Sequence, residues 1–151
     1  MRSIRYGEAD RILHLYTPRR GRVSAIAKGV RKTKSRFGGR LEPFFRIDTV
    51  LYEGKSEMLT VQQANTVAGH PRLRENAAAL DSAARACDAV GRLFATDDPH
   101  PEVYNLLANQ LGLLDHDPAA QATPRHAIAF RLKLLVAAGL APQLSACASC
   151  G

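Results

Sequence analysis

The sequence predicts an α+β protein in which a small β-barrel comes first and an α-helical part follows. Short β-like runs alternate with turn signals up to about residue 68, whereas apolar residues recur every three or four positions from Pro71 onward. Charge divides at nearly the same place: residues 1–60 carry 14 Lys and Arg against 6 Asp and Glu, and residues 61–151 carry 7 against 8. We therefore expect a basic barrel domain over residues 1–68 and a helical domain over residues 71–146.

Four or five short strands are expected in the first domain. The clearest runs are residues 11–17, 22–28, 44–53 and 58–67. The stretch Pro18-Arg19-Arg20-Gly21 predicts a hairpin turn between the first two runs, and Gly54-Lys55-Ser56 predicts a turn between the last two. One face of the third run is expected to hold Phe45, Ile47, Thr49 and Leu51. So many strands in so few residues indicate a small closed barrel, because closure removes exposed sheet edges.

Three helices are expected in the second domain. The first carries an apolar stripe of Leu73, Ala77, Leu80, Ala84, Cys87, Val90 and Phe94. After a break at residues 97–101, the second helix runs to about Leu114 and turns inward Val103, Leu106, Leu107 and Leu111. Residues 115–118 form a connector, and Thr123 and Pro124 predict the N-cap and first position of a helix that stops near Gly139. Because this third helix is apolar on most sides, we expect it to be the buried centre of the helical part.

A basic loop at residues 28–40 is the strongest functional signal. It contains no carboxylate and six cationic side chains, which are Lys28, Arg31, Lys32, Lys34, Arg36 and Arg40. Phosphate oxygens need cationic donors and backbone amides that glycines bring close. Phe37 is expected to offer a flat surface on which an unstacked base rests. The neighbouring hairpin turn contributes Arg19, Arg20 and Arg22, which would extend the positive surface if both loops leave the same rim of the barrel.

These features favour a nucleic-acid ligand. The basic segment is glycine-rich and strand-like rather than an amphipathic helix, so an anionic membrane surface is the poorer candidate. A solvated loop whose charge only aids solubility is the alternative interpretation. Cations and one aromatic ring do not read base edges, so little sequence specificity is expected. If about four to six phosphates of a single strand are engaged, log affinity falls with log salt at a slope of about −3 to −4.

Other residue clusters point away from catalysis. No serine or cysteine nucleophile stands in a recognisable context, and Asp115-His116-Asp117 is interpreted as a helix connector, so no enzyme is predicted. Cys147 and Cys150, followed by Gly151, match one zinc knuckle, which supplies two of the four ligands that zinc needs; a fortuitous CxxC is the alternative. Cys87 is expected in the helical core. No apolar stretch reaches the roughly 18 residues that span a bilayer, and a cytoplasmic location is expected.

Four strings closely resemble the bacterial RecO family of recombination mediators: RYGEADRI at residues 5–12, RGR at 20–22, AKGVR at 27–31 and SRFGGRLEPF at 35–44. The similarity continues to the terminal CASCG at residues 147–151. Members of that family begin several residues earlier and continue past the first CxxC to a second knuckle. The chain is therefore expected to lack part of the first strand and the C-terminal part, and to expose an apolar helical surface.

The resemblance implies an N-terminal OB-fold, a helical domain and the start of a zinc-finger element at residues 147–151. It implies a function in DNA repair and recombination through the RecF pathway: binding single- and double-stranded DNA, annealing complementary strands, and loading RecA together with RecR and the single-strand-binding protein SSB. A protein-interaction module is the alternative, in which an acidic and apolar SSB tail docks at Arg125, Arg131 or Lys133 and the basic loop is incidental. An RNA-binding OB protein of translation is a third possibility.

Overall fold

A computed structural model of the protein describes residues 2–54, 58–147 and 149–150. The predicted turn residues Lys55 and Ser56 lie outside the described residues, as do Ala148 and Gly151 of the predicted zinc knuckle. No helix in the described part of the chain is long and apolar enough to cross a membrane.

Five strands form one sheet: β1 (Arg2–Tyr6), β2 (Asp10–Thr17), β3 (Gly21–Ala27), β4 (Arg46–Tyr52) and β5 (Leu59–Ala68). Their order is β1-β2-β3-β5-β4, and all neighbours are antiparallel except β3 and β5. This crossed-over, five-stranded arrangement agrees with the predicted OB-like class. Among the described residues the strand pairings end at β1 and β4, so the sheet is a partly open barrel rather than the closed one that was expected.

The inner face of the sheet holds one of two apolar cores. Strict alternation buries every second residue of β3, and the core residues are Leu13, Val23, Ala25, Ala27, Phe37, Leu41, Leu59, Val61 and Ala64. The predicted face of β4 is confirmed, because Ile47, Thr49 and Leu51 are half-buried while the residues between them are exposed. β1 was predicted only through the family resemblance. Its side chains 3–6 are all exposed, so the strand shows no alternation of burial.

The helical part contains α1 (Pro71–Glu75), α2 (Ala77–Leu93), α3 (Pro101–His116), α4 (Pro118–Gln121) and α5 (Pro124–Ala137). The first predicted helix is thus two helices. Asn76 has an extended backbone, and its side-chain oxygen accepts the Ala79 N–H at 3.0 Å, so it caps α2. This break changes which face of α2 is buried: Ala77 and Ala84 are exposed, contrary to expectation, whereas Cys87 is in the core as predicted.

The inward face of α3 is confirmed, but α5 differs from the prediction. Val103, Leu107 and Leu111 are buried in the helical core. In α5 only Phe130 and Leu134 are buried, while Ile128 and Val136 are 55% and 60% exposed. α5 contacts α2 and α3 along one side, so it is not the buried centre of the helical part. Together with Leu113 and Leu140, these side chains leave an exposed apolar surface on the helices.

The sheet and the helices meet where the β2–β3 turn contacts the segment between α2 and α3. The Arg22 N–H donates to the carbonyl oxygen of Thr96 at 3.1 Å. Tyr16 packs against the helical core, and its buried hydroxyl finds no hydrogen-bond partner among the described residues. Burial, and then the nearby Glu102 carboxylate, raises the pKa of Tyr16 to about 12. Among the described residues, the joint therefore combines this main-chain hydrogen bond with packed side chains.

Two non-glycine residues near this joint have a left-handed backbone. Phe44 (φ 68°) precedes β4, and His70 (φ 48°) is the N-cap residue of α1. His70 is buried, with its Nδ1 atom 3.9 Å from an Asp115 carboxylate oxygen. Burial lowers the pKa of His70, and Asp115 opposes that shift. Asp115 also accepts the Leu73 N–H at 3.0 Å, so its carboxylate has a structural role.

Gly21 is expected to tolerate no side chain. Its φ is +52°, and an added Cβ would overlap the carbonyl oxygen of Asp98. Gly38 has the same φ but nothing within 4 Å of such a Cβ. Both alanine variants carry the backbone strain, and only Gly21→Ala adds the clash. We expect Gly21→Ala to lower the free energy of unfolding by about 1–3 kcal/mol more than Gly38→Ala, measured by urea denaturation. Equal losses would contradict the tight contact at the joint.

Candidate nucleic-acid interface

The first half of the basic loop is fastened to the turn between β1 and β2. The Gly29 N–H donates to the Asp10 carboxylate at 2.7 Å, and the Arg31 N–H donates to the carbonyl oxygen of Ala9 at 2.9 Å. The Arg31 guanidinium donates to the carbonyl oxygen of Glu8 at 3.0 Å. Three hydrogen bonds therefore hold this end of the loop against the sheet.

The second half of the loop is anchored by an apolar side chain. Phe37 is only 2% exposed and packs in the sheet core together with Leu41. The Arg36 guanidinium lies 4.8 Å from the centre of the Phe37 ring and donates to the carbonyl oxygen of Val61 at 3.1 Å. The prediction that Phe37 offers a stacking surface to a base is therefore wrong. Its ring is a core side chain and fills space against the inner face of the sheet.

The cationic side chains of the loop stay at the surface. Lys28, Lys32 and Lys34 are exposed, and no ion pair within the described ranges includes them. Arg31, Arg36 and Arg40 are also exposed, although each donates one hydrogen bond to a main-chain carbonyl. A guanidinium has five N–H donors, so one such bond leaves others for phosphate oxygens. The result is a cationic surface on a loop that is anchored to the sheet by hydrogen bonds and by Phe37.

The hairpin arginines do not adjoin this surface. The β2–β3 turn precedes Gly21 and the basic loop follows Ala27, so the seven-residue strand β3 separates them by about 20 Å. The condition for one shared positive surface, that both loops leave the same rim, is therefore not met, and DNA binding by Arg19, Arg20 and Arg22 stays a prediction. Arg20 lies 3.9 Å from Glu53. Arg22 lines a cleft of about 590 Å³ between the sheet and α2, together with Asp88 and Arg92.

The outer face of the sheet holds exposed and half-buried apolar residues that were not predicted from the sequence. Ile4, Ile12 and Ile26 are register partners on three adjacent strands, and the row continues through Thr60 to Tyr52. Tyr6, two residues beyond Ile4, is 54% exposed. The alternation of β2 and β3 gives a signal for this face, but only the strand register shows that its members line up.

The predicted partner residues on α5 are exposed but are not brought together. Lys133 lines a cleft of about 720 Å³ between α3, α5 and the end of the sheet, which also contains Arg46, Leu106, Leu113 and His126. Arg131 lines a small separate cavity beside α2 with Ser82 and Arg85. Arg125 is not among the residues that line either space. Lys133 and Arg131 therefore line different cavities, and the three cations do not form one binding surface.

Cys147 and Cys150 are both exposed and are present as thiols rather than as a disulfide. A main-chain hydrogen bond from Ser149, followed by hydrogen bonds from Cys150, lowers the pKa of the Cys147 thiol, which favours the thiolate that a metal binds. The two thiols fit half of a zinc site. Within the described ranges no group of three or more His, Cys, Asp or Glu side chains is placed to hold a metal ion. Zinc binding stays a prediction.

Comparison with known families agrees with this architecture. The family model described as "Recombination protein O N terminal" matches residues 1–70, and "Recombination protein O C terminal" matches residues 74–151. The chain belongs to the RecO family. The resemblance noted from its motifs is thereby confirmed.

Curated relatives of this RecO-family chain carry the name "DNA repair protein RecO". Those from Anaeromyxobacter dehalogenans (strain 2CP-C) and Rubrobacter xylanophilus are 40% and 42% identical over 152 and 153 residues. Both alignments cover 100% of this chain and 59% of the relative. The relative from Myxococcus xanthus is 36% identical over 149 residues, covering 99% of this chain and 60% of its own length. The chain thus spans about three-fifths of the length of the curated relatives it matches.

Phe37 is expected to be a stability residue. Phe37→Ala removes a fully buried ring and should lower the free energy of unfolding by about 3–5 kcal/mol, with a smaller loss for Phe37→Leu. Tyr52→Ala, which removes an exposed aromatic ring, should change it by no more than about 0.5 kcal/mol. Urea denaturation of the three variants measures this. A Phe37→Ala effect as small as that of Tyr52→Ala would show that the ring lies at the surface.

Proposed function

We propose that this chain binds DNA as part of a recombination mediator in DNA repair, and that the basic loop holds the phosphates. The observation that carries the proposal is that the loop backbone is anchored to the sheet while Lys28, Lys32 and Lys34 are exposed. A phosphate site gains affinity when the backbone that carries its cations is already held in place, because less ordering entropy is lost on binding. Such contacts are independent of base identity, which suits a protein that acts on any sequence.

Membership of the RecO family supports a wider set of DNA-repair activities, which are also proposed for this chain. We propose that the chain binds both single- and double-stranded DNA, anneals complementary strands, and assists RecA loading with RecR and SSB in the cytoplasm. The role is mediation rather than catalysis. In support, Asp115 serves main-chain hydrogen bonding and Cys87 lies in the core, where burial raises the pKa of its thiol. Cys147 and Cys150 would hold a structural zinc ion with two further ligands, and the ion would cross-link the chain.

Charge removal from the loop tests the phosphate site. Lys32/Lys34→Ala should weaken binding to a labelled single strand and reduce the slope of log affinity against log salt by about 1.4, since each lost phosphate contact contributes about 0.7. Fluorescence anisotropy at several salt concentrations measures both quantities. Arg19/Arg20→Ala removes the same charge at the other end of β3 and should change the slope less. If the two double variants behave alike, only net charge matters and the loop is not the site.

A second function is favoured by the cleft at Lys133. Its lining combines the cations Arg46 and Lys133 with the apolar residues Leu106, Leu113 and Phe130. This combination suits the acidic and apolar tail of SSB, because charge steers the peptide and the apolar wall receives its side chains. We propose this cleft as a docking site that works beside the basic loop.

An acidic, apolar peptide should bind more weakly to Lys133→Ala than to the wild-type chain, by about 0.2–1 kcal/mol for an exposed ion pair. Arg125→Ala, on the same helix but outside the cleft, is the matched control and should bind as the wild type does. Isothermal titration calorimetry at low salt measures the difference. An equal loss for Arg125→Ala would point to general attraction rather than to the cleft.

A further inference from the structure

We propose that Tyr6 is a base-stacking residue and that the aliphatic row Ile4, Ile12 and Ile26 beside it receives unpaired bases of a single strand. The inference rests on the proposed phosphate-binding role of the basic loop. It assigns a second chemistry to the same site: the loop holds the backbone of the strand, and the outer face of the sheet holds its bases.

Tyr6 stands next to the point where the basic loop is fastened. It is the last residue of β1, and its register partner is Asp10. The Asp10 carboxylate accepts the Gly29 N–H, so Tyr6 lies one strand spacing, about 4.8 Å, from the residue that ties the loop to the sheet. Lys28 follows Ala27, the register partner of Arg11. An aromatic ring and a cation of the loop thus lie at the same end of the sheet, about two strand spacings apart.

The aliphatic row shares the face of Tyr6. Residues that are paired across antiparallel strands project to the same side, and so do residues two apart on one strand. Ile4 is 50% exposed, and Ile12 and Ile26 are half-buried. The opposite face is the sheet core that contains Leu13 and Ala25. The outer face therefore presents a continuous apolar strip that starts at Tyr6.

The occupant follows from charge and from stacking. Phosphates on Lys28 and Lys32 bring a polynucleotide to this end of the sheet, and an aromatic ring stacks on any base. In a duplex the base faces are already stacked on each other, so only an unpaired strand gains from Tyr6. Phe37 cannot perform this role because its ring is buried. The site should therefore favour single strands by the contribution of one stacked base.

The chain has no tryptophan, which permits a direct test. Tyr6→Trp introduces the sole indole, and its fluorescence should be quenched when an oligo-dT of about 16 nucleotides binds, the upper end of an OB-fold site. Val136→Trp is the matched control. Val136 is 60% exposed on α5, outside the sheet. Unquenched fluorescence in bound Tyr6→Trp, or equal quenching in both variants, would overturn the assignment.

Affinity gives an independent readout. Tyr6→Ala should weaken oligo-dT binding about five- to a hundredfold while leaving the salt slope and duplex binding unchanged, and Tyr6→Phe should bind as the wild type does. An unfolding midpoint close to that of the wild type shows that the loss is not a folding defect. If Lys32/Lys34→Ala binds normally, the proposed phosphate site fails. If that variant is weakened and Tyr6→Ala is not, only the stacking role fails.

Discussion

The burial of Phe37 makes the basic loop part of the fold. Six cations in thirteen residues repel one another, and a loop of this kind has no reason of its own to adopt one conformation. Burying one large apolar side chain contributes about 1.5–3 kcal/mol, and Phe37 places that contribution in the middle of the charged segment. The hydrogen bonds to Asp10, Ala9 and Val61 then fix the two halves of the loop on either side of it. Buried Phe37 thus attaches the cationic loop to the sheet.

The same sheet is held to the helices at its other end. There the backbone of Gly21 touches the Asp97–Asp98 segment, Tyr16 enters the helical core, and the ring of Phe44 packs against that core. Phe44 has a left-handed backbone, a conformation that costs about 1–3 kcal/mol in a bulky residue and persists only when packing fixes it. This strain indicates that the path from the basic loop into β4 is set by the helices as well as by the sheet.

Much of this architecture could be predicted from the hydrophobic period and from the positions of proline and glycine. The alternation in β2–β5, Pro101 and Pro124 at helix starts, and the change of period near residue 70 all correspond to elements of the structure. The separation of the two cationic turns was not predicted, although loops before and after one strand leave opposite ends of it. Two features depended on tertiary contacts. An aromatic residue in a basic, glycine-rich loop resembles a stacking group until its burial is known, and the exposure of α5 depends on what packs beside it. The break at Asn76 is local, since its side chain accepts the Ala79 N–H, and the preference of Asn for N-cap positions is the signal that the prediction overlooked.

Positive charge is concentrated at one end of the sheet. The basic loop and the exposed lysines lie beyond Ala27, while Glu53, Asp88, Asp97 and Asp98 lie around the β2–β3 turn and the joint with the helices. Because the field is positive at one end of β3 and close to neutral at the other, it orients an approaching polynucleotide before any contact forms. The net charge of +7 describes the whole chain and does not show this difference between the two ends of β3. At the joint, acidic residues offset arginines that do not belong to the loop surface. In the proposed complex, this orientation brings the phosphates to the loop first, and the outer face of the sheet is then the nearest apolar surface for the bases.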